Sequence, residues 1–144
     1  MALDRKAVLE QMRENRPADL KVLIEQPDAG GTRTLGIFAI QRDPANADVR
    51  SYRLWEESPA DLNVYVESVR CGSAQPLRVK RTGAAVYVRM LNPGGLITPS
   101  NREDHLVWWA ACVPEVAGTD PATLRQKALD LGYSTLIPER QEQL

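Results

Sequence analysis

The stretch 102–113, REDHLVWWAACV, constrains this chain more than any other segment. Ser100 followed by Glu103 reads as a capping box that opens a helix there, and Pro114 stops it. Beyond its first turn, Leu106, Val107, Ala110, Ala111 and Val113 leave almost no polar side. A helix that is apolar nearly all round is stable only at the centre of a domain or beneath a partner. Adjacent helical positions point about 100° apart, so one of Trp108 and Trp109 can face the core and the other something else. Trp109 is assigned to the core with Leu106, Ile37, Val86, Val88 and Leu129, and Trp108 or Tyr87 is kept as an anchor for a partner.

The rest of the chain must supply the surroundings of that helix. A first helix is expected over residues 3–15, where Leu3, Ala7, Val8 and Met12 follow helical spacing. Arg16-Pro17 ends it, because the residue before proline avoids the α region. Leu20–Ile24 and residues 34–41 alternate on either side of PDAGGT and read as a hairpin. Residues 49–56 read as a third strand. Ser58-Pro59-Ala60-Asp61 then carries three helix-start signals: a hydroxyl N-cap, proline at the first helical position, and an acid at the positive end of the dipole. Leu62, Tyr65, Val66 and Val69 come next at helical spacing, so a helix is expected up to Cys71-Gly72. The competing strand pattern, Leu62, Val64 and Val66, is set aside on the strength of the cap.

LRVKRT and VYVRML flank Gly83-Ala84-Ala85 as a second hairpin. The loop LNPGGLITPSN leads into the apolar helix, Asp120-Pro121 opens a last one, and Tyr133 to Ile137 suits a short closing strand. The expected fold class is α+β: a mainly antiparallel sheet of two hairpins plus one strand, with about four helices largely on one face. Residues 1–138 are expected to form a single domain and 139–144 a polar tail.

The chain has 144 residues, 43% hydrophobic and 26% charged, which is enough to bury a core without a staple. Its net charge of −1 points to neither nucleic acid nor a membrane surface. There is no apolar run of membrane-spanning length, no leader pattern at the N-terminus and no lipidation motif, so a soluble cytoplasmic protein is expected. Two cysteines 41 positions apart, Cys71 and Cys112, fit buried reduced thiols better than a disulfide framework, with a bridge between them as the alternative.

Three clusters could carry chemistry. On the second hairpin, alternation puts Arg78, Lys80, Tyr87 and Arg89 on one face and Val79, Val86, Val88 and Met90 on the other. No acid occurs between Glu67 and Glu103, so the polar face is basic. A solvated sheet face, an acidic protein partner, or single-stranded nucleic acid would each suit it. The NPGG loop enters a helix N-terminus, as phosphate loops do, but matches neither the Walker nor the dinucleotide pattern, and Glu103 and Asp104 would repel an anion. His105 and Cys112 lie two helical turns apart, about 10 Å, too far to share one proton or one ion. The acids Glu56, Glu57, Asp61 and Glu67 show no pair with reason to share a proton. No metal and no cofactor are therefore expected. The function expected is a non-catalytic protein-interaction or assembly module. It takes an acidic partner through Arg78, Lys80, Tyr87, Arg89 and Trp108, and homo-oligomerisation is left open. The alternatives are a small-ligand or enzyme site near the NPGG loop and a nucleic-acid module.

Overall fold

The computed structural model describes residues 4–144. Helix α1 (Arg5–Glu14) is capped by Asp4, whose carboxylate accepts from the amides of Lys6 and Ala7; the expected start at Leu3 lies outside the described residues. Seven strands come after it: β1 (Lys21–Asp28), β2 (Gly31–Arg42), β3 (Val49–Glu57), β4 (Leu62–Arg70), β5 (Leu77–Thr82), β6 (Ala85–Met90) and β7 (Arg140–Gln143). Helix α2 (Arg102–Cys112) and the short α3 (Arg125–Asp130) lie between β6 and β7. All strand pairings are antiparallel and the strands lie in sequence order, a plain meander. The molecule is thus mostly sheet, with three α-helices among the described residues. The expected α+β arrangement of two hairpins, one further strand and about four helices is incorrect.

The largest correction is the segment 62–70, which is strand β4 and not a helix. Ser58 and Asp61 bond each other reciprocally through the main chain, and the Ser58 hydroxyl takes the Asp61 amide at 3.1 Å. A hydroxyl accepting an amide three residues on is the same chemistry in an N-cap and in a tight turn, so the motif closes a hairpin as well as it opens a helix. The residues after the turn decide between them. Val64, Val66 and Val69 are β-branched, and β3 offers β4 a nine-residue ladder from Glu57↔Leu62 to Val49↔Arg70.

Helix α2 crosses one face of the sheet, called inward here. It packs on Leu35, Ile37, Tyr52, Leu54 and Val69, and its residues Leu106 to Ala111 are all buried. The expected central helix is therefore present, but the sheet wraps it more fully than expected: Trp108 is as buried as Trp109. Trp108 packs edge-on against Trp109 and Tyr133, and its indole donates to the Arg70 carbonyl at 2.9 Å. The expected capping box is not used; Asn101 occupies the cap position and Glu103 turns to the sheet.

Because β4 is extended, it carries Cys71 to the C-terminal end of α2, where it forms a disulfide with Cys112 across a Cα separation of 5.6 Å. The expectation of two reduced thiols is corrected accordingly. The C-terminal residues read as a tail contain β7, paired with β6 from Tyr87↔Gln143 to Met90↔Arg140, whereas 133–137 is not a strand. Val86 and Val88 are half-buried on the outward face and Leu129 is exposed, so the expected place of these three residues in the core is incorrect. Helix α1 lies on the outward face beside Trp55, tied there by Arg16 to Glu57 at 2.7 Å and by Arg13 to the Ser58 carbonyl. Among the described residues, no helix is long and apolar enough to cross a membrane.

Candidate protein-interaction site

The second hairpin alternates as the sequence indicates, but its two faces are exchanged in role. The row holding Arg78, Lys80, Tyr87 and Arg89 faces α2, and the row holding Val79, Val86, Val88 and Met90 faces away from it. Arg78 is 0% exposed. Its guanidinium donates to Glu67 through Nε and Nη2, and to Glu103 and Asp104 through Nη1, all at 2.9–3.1 Å. The Tyr52 hydroxyl donates to the same Glu67 oxygen at 3.0 Å. Burial disfavours the charged guanidinium, but Tyr52 and the three carboxylates outweigh it and raise the Arg78 pKa. Burial likewise works against the Glu103 carboxylate, and Arg78 and Lys80 overcome it, holding its pKa at about 2. Burial also pushes Tyr52 well above the ordinary tyrosine range.

The remaining predicted site residues belong to the rim of this cluster. Lys80 lies 3.5 Å from Glu103, and Arg89 bridges Asp104 at 3.2 Å and Gln141 at 2.9 Å. Tyr87 is half-buried in the ladder between Lys80 and Gln143. Arg78 and Trp108 cannot touch a partner from where they sit, and Arg78, Lys80, Tyr87 and Arg89 do not form one solvent-facing patch. The acid-free stretch is legible in the sequence; its acids come from Glu67 and from the start of α2. The signal for this is the pair Glu103-Asp104 opening an otherwise apolar helix, since carboxylates carried into a core must meet cations there.

The outward face of the same strands has the opposite character. By alternation it carries Val64 and Val66 of β4, Val79 of β5, and Val86, Val88 and Met90 of β6. Val64 and Val66 are 42% and 56% exposed, and the others are half-buried. Arg53, Arg70 and Arg81 are exposed around this stripe, and none makes an ion pair among the described residues. Among the described residues, the only acid on this face of β3–β6 is Glu57, which is already held by Arg16 and by the Trp55 indole at 2.7 Å. Alternation separates two faces without saying which one is covered, and the expected place of Val86 and Val88 in the interior is reversed for that reason.

The other candidate clusters are internal. In the NPGG loop, Pro93, Gly94 and Gly95 are buried, and the Asn92 amide donates to the Glu139 carboxylate. Glu139 also accepts from Asn101 at 2.7 Å and lies 2.6 Å from His105 Nε2, so it fastens the segment before β7 to the start of α2. The Asn92 amide is thus taken by the chain's own carboxylate and the Gly95 amide by the Asn92 carbonyl. His105 is 0% exposed, and beside a carboxylate its Nε2 carries the proton. A hollow of about 530 Å³ lies between α1 and the β1–β2 turn; Arg16 there is paired with Glu57, and Arg13 with main-chain carbonyls. Among the described residues, no group of three or more His, Cys, Asp or Glu is placed to hold a metal ion. Compared with protein-family models, with curated proteins and with solved structures, the chain matches none.

Proposed function

We propose that this protein is a non-catalytic protein-interaction module, and that it binds through the outward face of β4–β6. The observation that carries this reading is the apolar stripe from Val64 to Met90, exposed at Val64 and Val66 and half-buried at the rest, set among Arg53, Arg70 and Arg81, which make no ion pair among the described residues. An apolar strip supplies the anchoring area of an interface, and unpaired rim cations select the partner and speed its approach. The complementary surface is a protein with an apolar ridge flanked by carboxylates. This keeps the acidic partner expected from the sequence, but moves its contact to the other side of the hairpin. A second copy docking face to face is disfavoured, since it would bring the same arginines together.

The test compares capture of proteins from the source organism by wild type, by Val66→Asp with Val88→Asp, and by a control variant, Gln126→Lys, on the exposed side of α3. The captured protein is then purified and titrated against each across a salt series. Binding that weakens with salt and is lost only in the face variant supports the reading. Equal affinity of wild type and the face variant refutes it.

A further inference from the structure

Strand β4 has an open edge in the middle of the sheet. Its ladder with β3 runs its full length, Leu62 to Arg70, but its ladder with β5 covers only Ser68, Val69 and Arg70. From Lys80 onward β5 stays with β6 and leaves β4. Lys80 and Arg78 both reach Glu103 at the start of α2, which holds the hairpin against the helix and away from the first half of β4. Among the described residues, 62–67 therefore have a strand on one side only.

The direction of their main-chain groups is fixed by one bond. Arg81 Nε donates to the Val66 carbonyl at 2.8 Å, so that carbonyl points into the gap. The amide and carbonyl of one strand residue point the same way, and the next residue's point the other way. Val66 therefore directs its amide, and Val64 both its amide and its carbonyl, into the gap. A row of open donors and acceptors is a template for an added strand. Arg81 already stands where the amide of such a strand would donate.

We propose that this gap binds an extended segment of another protein, which adds to β4 as a strand. Its alternate side chains are apolar, to lie on Val64 and Val66, and a carboxylate among the others, which face α2, pairs with Lys80. The proposal rests on the interaction-module reading and specifies how the partner engages it: main-chain bonds to β4 give the affinity, and the valines and Lys80 give the selectivity.

The experiment pans a phage-displayed library of short random peptides against the intact protein. Selected peptides are resynthesised plain, and also N-methylated on either alternate set of amides. The expected result is a set of sequences alternating apolar and acidic residues, shifting the Val64 and Val66 amide resonances. Methylation of one set, and only one, should cost at least about tenfold in affinity, because only one set faces β4. Val64→Pro should cost as much, since the lost amide serves no bond to β3, and Lys80→Gln should weaken binding of the acidic sequences. The methylated peptides keep the test decisive if Val64→Pro does not fold. No selected binder, or binders indifferent to methylation, would overturn the proposal. Peptides that shift Val79 and Val88 but not Val64 overturn the strand addition while leaving the interaction face intact. Concentration-dependent dimerisation abolished by Val64→Pro also overturns it, because a second copy then fills the gap.

Discussion

Replacing Arg78 with methionine removes the one cation shared by three carboxylates. Glu103 retains Arg33 and Lys80, and Asp104 retains Arg89. Glu67 retains only the Tyr52 hydroxyl, at 0% side-chain exposure. The cost therefore falls on one stranded carboxylate, and breaking a buried pair in this way is worth about 3–5 kcal/mol. A domain of this size has about 5–15 kcal/mol in total, so the variant should fold but lose a large part of its denaturant midpoint. One further measurement identifies the cause. Arg78→Met combined with Glu67→Leu should be more stable than Arg78→Met alone, because an apolar pair carries no desolvation cost. Urea titrations of wild type, both single variants and the double variant test both points. A cost of Arg78→Met below about 1 kcal/mol, or a double variant no more stable than Arg78→Met, would show that Arg78 is not a structural centre.

Three other outcomes are expected. In wild type, the Glu103 carboxylate is held at about 2 against 4.5 in a free side chain. Its contribution, about 3 kcal/mol, is present above pH 4.5 and lost as pH falls through about 2, which acid titration of Lys80→Met and Arg33→Met should show as an earlier loss. The disulfide closes a separation of 41 residues, so Cys71→Ser with Cys112→Ser, or reductant, should cost about 4 kcal/mol and lower Tm by about 8–16 °C; an unchanged Tm would mean that the bridge does not form in solution. Ala39 sits at φ 53° in the β2 bulge, so Ala39→Gly should raise stability by about 0.5–1 kcal/mol by urea titration, and a loss would show that the methyl group packs.

What the sequence determined by itself was local. Alternation placed β1, β2, β5 and β6, residues 49–56 read as a strand between them, and the near-absence of polar positions in 102–113 required a central helix; each signal comes from neighbours within one turn or one pleat. Tertiary structure decided everything that depended on which surface lies opposite. Ser58-Pro59-Ala60-Asp61 became a hairpin turn because β3 offered 62–70 a full ladder. Arg78 became a core residue because Glu67, Glu103 and Asp104 converge on it from other elements, and a pattern of alternation is identical whichever face is buried. The same choice left Val64, Val66 and Val88 on the outer surface. The cysteines met only once β4 was extended, and the polar C-terminus gained a strand because β6 had a free edge beside it. Burial of charge depends on compensation from a distance, and a partner in space has no fixed spacing in the chain.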